Sequence, residues 1–533
     1  MKSFLRFGSL NLNRTLLSLI ISLFIVASAG AQVRTSAPEL LRYSDLVALY
    51  ENEEPSQDLQ KKLTELLTTP FVNNSINSSG AKPGRPAARV SDDSLRVATW
   101  NIERGLEFDA IKAALTNDQR FFRRLAPATR STRFDLKSIL DQAQRLSNAD
   151  VVVLNEVDWG LKRTNYRNVA RDLALATHMN YAYAVEFVEV DPLTLGTETL
   201  EGESGTDKAE IVKNFSVDTS RTLGLHGTAI LSRFPLKNVR VVRFVNQGHD
   251  WYADEKKAVS ALEKGKQKGA GIVFSERIVR EVRRGGRMMI LADVEESQIP
   301  GGVLTIVATH LEQKTKPSGR LKQLEEVLGA IRAIEHPVVI AGDMNTSGTD
   351  STPTSFPRAV KKRMGSSSFW VTKGIKYATG AGLLYDVTFG LVKAQRMKSD
   401  PTVKSVKFVS ENPEEAFFTT LKEFRFADGA AFDFRGAKQY SVGGSEETLS
   451  DSNERASKGF VSTLELQSKI TIQLKLDWIF VRPPNLTKPD DRQQSYSFAP
   501  QFGHTLKALN YSLKDRISDH SPMIADLPFS KNQ

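Results

Sequence analysis

The sequence predicts a layered α/β sandwich. Two observations predict it: short apolar runs rich in β-branched residues recur along the chain, and helical patterns fall between them. A third bears on chemistry. Polar residues gather where the apolar runs end, and two stacked sheets would bring those ends to one rim.

The runs are "RVATWNI" (96–102), "DVVVLNEV" (150–157), "GTAILS" (227–232), "VLTIVATHL" (303–311), "PVVIAGDMN" (337–345), "LDWIFV" (476–481) and "PMIADL" (522–527). Each has the length of a strand, and most end in polar residues. Residues 135–147 place Leu136, Ile139, Leu140, Ala143 and Leu146 on one helical face, and residues 320–334 do the same with Leu321, Leu324, Leu328 and Ile331. Residues 39–68 also read as helical. Residues 73–94, rich in Ser, Asn, Gly and Pro, read as a linker. The N-terminal segment is therefore 32–94, and the main domain is expected over 95–528. Stretches near 104–134, 248–287 and 350–470 fit the rhythm poorly and read as insertions. Within the third, Phe417, Phe418, Phe424, Phe426, Phe432 and Phe434 point to a folded part.

Composition narrows the class. Of 533 residues, 40% are hydrophobic and 25% charged, the balance of a globular chain rather than a disordered one. The absence of cysteine excludes disulfides, thiol catalysis, cysteine metal sites and a lipid anchor on Cys. Lys2, Arg6 and Arg14 precede the apolar run "LLSLIISLFIV" and then "ASAGAQ", with Ala29 and Ala31 in an A-x-A arrangement. This is a signal-peptide pattern over residues 1–31, with cleavage expected after Ala31 and a secreted or periplasmic product. Subtracting its three cations from the formal +10 leaves +7. The charge is uneven: residues 256–287 hold ten Lys/Arg against three Glu, and residues 357–400 hold nine against two Asp. Such segments suit an anionic partner, nucleic acid or membrane, or else a solvated basic surface.

The candidate site is read from the run ends. Asn101 closes the first run, Glu156 the second, His310 the fourth, and Asp343 and Asn345 the fifth; Asp477 opens the sixth, and Asp519 and His520 stand before the last. Glu156 and Asp519 are hard oxygen donors suited to Mg²⁺ or Mn²⁺. Asp343 could take a proton from water, while Asn101 and Asn345 could hold that water or a phosphate oxygen. His310 and His520 could stabilise negative charge, with Asp477 orienting His520. Together they suit metal-assisted attack of water on a phosphoester. Ser518 reads as a turn residue, and Arg233 as a strand-end residue or a site residue.

"TWNIERG", "VVVLNEVD", "GTAILSRFPL", "VATHLEQ", "VIAGDMN", "LDWIFV" and "SDHSPM" occur in the order found in the endonuclease/exonuclease/phosphatase superfamily, and the chain resembles that group over about 95–528. The resemblance implies a four-layer α/β sandwich with one or two metal ions at the rim. It implies that Glu156 binds the metal with Asn101 and Asp519, and that Asp343 activates or positions water beside Asn345. It implies further that Asp477 pairs with His520, that His310 faces the phosphate, and that Glu103 is a possible second acidic ligand. His226 departs from the pattern, because deoxyribonuclease I-like members carry near this place a Glu that supports the first His. His178, His249, His336 and His504 read as structural.

The expected activity is a secreted divalent-metal-dependent phosphodiesterase or nuclease. A phospholipid hydrolase of sphingomyelinase type, an inositol-phosphate hydrolase, and a non-catalytic binding module on the same fold are the competing readings. No obligate protein partner is implied.

Overall fold

The structure is a computed structural model. It describes residues 37–79, 93–197, 217–257, 281–346, 414–436, 449–456, 459–467 and 471–529, with short pieces between 402 and 411. The expected signal peptide, residues 80–92 of the expected linker, and most of both basic segments lie outside the described residues.

In chain order, leaving aside four two-residue strands between 405 and 460, the strands are β1 (Phe71–Asn73), β2 (Ser94–Arg104), β3 (Val151–Trp159), β4 (Asn180–Glu189), β5 (Leu225–Ser232), β6 (Leu236–Arg243), β7 (Arg283–Gly285), β8 (Met288–Glu295), β9 (Val303–His310) and β10 (Val338–Asp343). They continue with β11 (Leu464–Gln467), β12 (Thr471–Leu474), β13 (Asp477–Arg482), β14 (Gln501–Thr505) and β15 (Met523–Pro528). The helices used below are α1 (Tyr43–Glu51), α2 (Gln57–Thr68), α3 (Phe108–Thr116), α4 (Gln119–Arg123), α5 (Leu136–Ser147), α6 (Val169–Thr177), α7 (Pro317–Ile331) and α8 (Glu415–Glu423).

Two mixed sheets form. One runs β1-β4-β5-β3-β2-β15-β14, with β7 also on β4; the other runs β13-β10-β9-β8-β6. The pairs β2/β3 and β9/β10 are parallel, and the other neighbours are antiparallel. The period-2 alternation of side chains then dictates the layers. On β2 and β3, Val97, Val151 and Val153 face the second sheet, where they meet Ile290, Ile306, Val339 and Ile479. Ala98, Trp100, Val152 and Leu154 face outward, against Ile111 of α3, Ile139 of α5 and Leu173 of α6. On the second sheet, Val307, Ile340 and Trp478 face outward against Leu324 of α7 and Phe418 of α8. Helices, sheet, sheet and helices make the four-layer sandwich.

The caps are local chemistry. The Asp135 carboxylate accepts the Ser138 amide at 2.8 Å and starts α5. Pro317 opens α7, where a missing N–H costs nothing.

All seven sequence runs are strands. The sequence reading missed β1, β4, β6, β7, β8, β11, β12 and β14. It also set boundaries that the structure moves. Residues 38–79 belong to the same compact unit as the rest, Pro38–Gln533. Leu46, Leu49, Leu63 and Leu66 are buried in the outer helical layer, and β1 pairs with β4 as an edge strand. The single helical stretch expected over 39–68 is two helices, because "NEEP" cannot continue α1. The stretch 104–134, expected as an insertion, supplies α3 and α4, with Phe108, Ile111, Ala114 and Phe122 buried in the same layer. Its small and aromatic residues hid an apolar face. The flanks of 248–287 also join the fold, through Trp251 and β7. In the third stretch, Phe417, Phe418, Phe424, Phe426, Phe432 and Phe434 are buried, as the aromatic count suggested. Among the described residues, no helix is long and apolar enough to cross a membrane.

Candidate active site

The two parallel pairs end at the same rim. Register pairs Asp343 of β10 with His310 of β9 on one side and with Asp477 of β13 on the other. A carboxylate therefore sits between a histidine and a second carboxylate by strand geometry alone. Gly342 makes this approach possible: its φ is +144°, and a Cβ there would lie 1.9 Å from the Thr309 carbonyl oxygen. Gly342→Ala is expected to destabilise the fold by about 3 kcal/mol or more, read by urea unfolding.

On the facing sheet, β2 slips register between Asn101 and Arg104, and β3 between Leu154 and Val157. Glu103, Arg104 and Glu156 have φ of 48°, 67° and 53°. Positive φ is uncommon outside glycine, and bulges of this kind re-aim side chains. Here they bring Glu156 beside Asn101. Asn155, which the sequence reading passed over, ties the sheets: its Oδ1 accepts the Asp343 amide at 2.9 Å, and its Nδ2 donates to the Thr309 carbonyl at 3.1 Å.

Three nitrogen groups converge on Asp343 Oδ2. Asn101 Nδ2 lies at 3.2 Å, His310 Nε2 at 3.6 Å and His520 Nε2 at 3.7 Å. The other oxygen accepts the Asn345 amide at 2.9 Å. The Asn345 side chain donates to the Leu311 carbonyl at 2.9 Å, so its position beside Asp343 is fixed. Burial pushes Asp343 up, the His520 cation pulls it down, and it settles at about 7. His520 Nδ1 lies 2.7 Å from Asp477 Oδ2. Burial lowers this imidazole, but Asp477 and Asp343 outweigh it and hold His520 well above its usual range. The expected Asp477–His520 pair is thus present. Ser518 is a turn residue as expected: its Oγ donates to the Asn101 carbonyl at 2.7 Å and accepts the His520 amide at 3.2 Å.

The acidic donors stand beside this centre. Glu156 Oε1 accepts Asn101 Nδ2 at 3.2 Å, while Glu156 Oε2 is buried with no hydrogen-bond partner. Asn101 Oδ1 accepts the Glu103 amide at 3.1 Å, so its oxygen is committed to the bulge and its amide group faces the acids. The Asp519 amide donates to Glu103 Oε2 at 3.0 Å. Asn101 joins Glu156 directly, and Asp519 is joined to the group through Glu103. Among the described residues, Asp343, Asp477 and His520 also place ligand atoms within 4.8 Å of one another. His520 is nevertheless a poor ligand there, because Asp477 holds one ring nitrogen and the ring favours its proton. Hard oxygen donors, with a Glu156 oxygen that has no hydrogen-bond partner, fit a divalent cation better.

Behind His310 lies a feature the sequence reading missed. Arg287 Nη1 is 2.8 Å from His310 Nδ1 and 2.6 Å from Glu186 Oε2, and Arg287 Nε is 3.1 Å from Glu312 Oε2. In the sequence Arg287 is the last cation of the basic segment 256–287. The one signal that could have flagged the cluster is Glu312 in "THLE". His226, the departure noted above, is buried, and its Nδ1 pairs with Asp158 at 2.9 Å. Arg233 pairs with Asp150 and stacks on Phe234, which settles it as structural. His178 caps α6, and His336 bonds Thr305.

A profile described as the Endonuclease/Exonuclease/phosphatase family matches residues 98–520. No curated protein matches the chain. Among solved structures, the chain is similar to an endonuclease/exonuclease/phosphatase from Beutenbergia cavernae DSM 12333, at 17% identity over 82% of this chain and 72% of that one, with a TM-score of 0.30. It is similar to TDP2 from Caenorhabditis elegans at 12% identity over 99% and 100%, TM-score 0.34, and to SmcL at 13% over 81% and 99%, TM-score 0.27. The profile match covers most of the chain and runs from the strand that carries Asn101 to His520 itself. The chain belongs to the endonuclease/exonuclease/phosphatase family of phosphoesterases.

Proposed function

We propose that the chain is a secreted, divalent-metal-dependent phosphodiesterase acting on nucleic acid. The observation that carries the chemistry is the buried Asp343 carboxylate with the His310 and His520 imidazoles 3.6 and 3.7 Å from one oxygen. Burial raises it to about 7, with the His310 ring neutral and the His520 ring cationic. The basic segments motivate the substrate class, and the N-terminal leader motivates secretion.

Glu156, Asp519 and Glu103, with Asn101 holding Glu156, are the residues that would bind the cation. When bound, it supplies positive charge against a phosphoryl oxygen and the leaving group. The chain's own residues do the rest. Asp343 orients a water and accepts its proton as the water oxygen bonds to phosphorus and the ester P–O bond on the opposite side breaks. The leaving ester oxygen departs with that bond's electron pair and takes a proton from solvent. The His520 cation, backed by Asp477, and the His310 N–H bind the phosphoryl oxygens where negative charge builds up. Both act from a buried wall where such contacts are strong.

A panel of plasmid DNA, RNA, sphingomyelin and inositol phosphates tests this reading. Nicking or digestion of nucleic acid in Mg²⁺ or Mn²⁺, abolished by EDTA, is the expected result. Release from sphingomyelin alone would move the substrate to lipid, and no hydrolysis of any phosphoester would sink the proposal. Metal binding has its own readout: Mg²⁺ is expected to raise the melting temperature of the wild type and not of Glu156→Gln.

The pH profile follows from the two charge states. Asp343 must be ionised, so activity rises with pH through about 7. His520 must be protonated, so activity falls again at higher pH as that proton leaves. A kcat/KM that does not rise with pH through about 7, or that does not fall again at higher pH, would count against these roles.

A further inference from the structure

The two histidines that face Asp343 are backed by opposite partners. His520 has the Asp477 carboxylate at Nδ1, 2.7 Å away. A carboxylate there accepts, so Nδ1 carries a proton. His310 has the Arg287 guanidinium at Nδ1, 2.8 Å away. A guanidinium has donors only and keeps its charge, so this Nδ1 must present its lone pair. The ring is then neutral, and its single proton sits on Nε2. That nitrogen is buried without a hydrogen-bond partner and faces the reaction centre, 3.6 Å from Asp343 Oδ2.

We propose that Arg287 is a positioning residue that fixes His310 as a neutral Nε2–H donor toward the phosphoryl group. The proposal rests on the reading of His310 as phosphate-facing.

The surroundings are built for this. Arg287 is almost fully buried and is held by Glu186 at 2.6 Å and Glu312 at 3.1 Å. Thr228 Oγ1 donates to the other Glu186 oxygen at 2.5 Å, and Trp251 Nε1 to Glu312 at 2.9 Å. The groups facing His310 are Arg287, Glu186 on β4 at 3.8 Å, Asp343 on β10, His520, His226 on β5 and Arg283 on β7. Burial comes first and Arg287 second in holding this imidazole well below its usual range. Glu186 alone would do the reverse, because a carboxylate at 3.8 Å favours the imidazolium. Arg287 stands between them and inverts the local polarity. There is a catalytic reason for the inversion. A second imidazolium beside Asp343 would lower the basicity of the carboxylate that has to take the proton. A neutral donor binds the phosphoryl oxygen and leaves Asp343 facing one cation.

The test reads the tautomer directly. Long-range proton–nitrogen NMR of the full chain labelled in its seven histidines, with His310→Gln for assignment, shows each ring's protonation. We expect wild-type His310 to carry its proton on Nε2 and not to titrate between about pH 5 and 8. In Arg287→Met the ring is expected to gain a proton on Nδ1 in that range. Its kcat is expected to fall about 10²-fold with KM changed far less, and the acid limb of the profile to move to lower pH. Arg287→Lys, which keeps a charged donor, is expected to recover part of kcat. A wild-type His310 with its proton on Nδ1 would overturn the proposal whether or not any variant folds. An Arg287→Met spectrum and profile like those of the wild type would overturn it as well. If the wild-type tautomer is as stated but no phosphoester is hydrolysed, the functional reading has failed and not the assignment of Arg287 to His310.

Discussion

Asp343→Asn is expected to lower kcat by about 10³-fold or more, while the protein stays folded and still binds Mg²⁺. The substitution is nearly isosteric. It leaves β10 and its pairs with β9 and β13 in place, and one amide oxygen can still accept the Asn345 N–H at 2.9 Å. What it removes is the acceptor for the water proton, and it does so at the point where three nitrogen groups converge. An amide NH₂ turned toward Asn101, His310 and His520 has donors facing donors. His520 also loses one of the two carboxylates that hold its proton, since Asp343 and Asp477 both raise it. The variant therefore loses a base and weakens a cation together, so its effect should not add to that of His520→Ala. Turnover of a diester substrate, measured with a melting curve for each variant, checks this. Activity within tenfold of the wild type would remove Asp343 from the chemistry.

How much of this was legible depends on where each residue sits. Asn101, Glu156, His310, Asp343, Asn345, Asp477 and His520 lie at or near the ends of apolar runs, and strand ends at one rim are where a sandwich gathers its chemistry. Sequence order then sufficed to collect them. Glu103 could be suspected but not placed, because a bulge with φ of 48° is not written in a period-2 pattern. Asn155 could not be singled out: its task is to cross between sheets, and nothing in "VLNEV" says which neighbour faces it. Arg287 and Glu186 were hidden for opposite reasons. Arg287 lies at the edge of a run of cations that suits an anionic partner or solvent, and nothing in the run points to the core. Glu186 lay in "YAYAVEFVEV", whose alternation of aromatic and small residues did not stand out as a strand. Both are buried charges, and a buried charge is legible only once its partner is known.

The same rule gives the largest expected effect on stability. Arg163→Met is expected to cost about 3–5 kcal/mol at pH 7, because it breaks a buried ion network by removing one partner. Arg163 donates to Asp158 at 2.6 and 2.9 Å and to Glu189 at 2.7 and 2.6 Å, and all three side chains are buried. Arg283, at 3.3 Å, is a second cation on Glu189, and His226 also pairs with Asp158. Burial alone raises Glu189; Arg163 and then Arg283 more than reverse this and hold it at about 2. A folded value below the unfolded one means stability that is fully present above about 4.3 and is lost as pH falls toward 2. Without Arg163 that contribution disappears, so the gap between wild type and variant should be full above about 4.3 and should narrow as pH falls toward about 2. Urea unfolding at pH 7 and at about pH 2.5 reads both limits. A cost under about 1 kcal/mol at pH 7 would mean that water or a side-chain shift satisfies the two acids. The network also reaches the site: Arg283 pairs with Glu281, Glu281 with Arg104 at 2.6 Å, and Arg104 Nε lies 4.0 Å from Glu156 Oε2. Arg163 itself touches none of the groups around Asp343. If the network only braces the bulges, turnover per folded Arg163→Met molecule stays near the wild-type value while stability falls. A loss of turnover in folded protein would instead show that the strain at Glu103 and Glu156 is held by these charges and not by the strands.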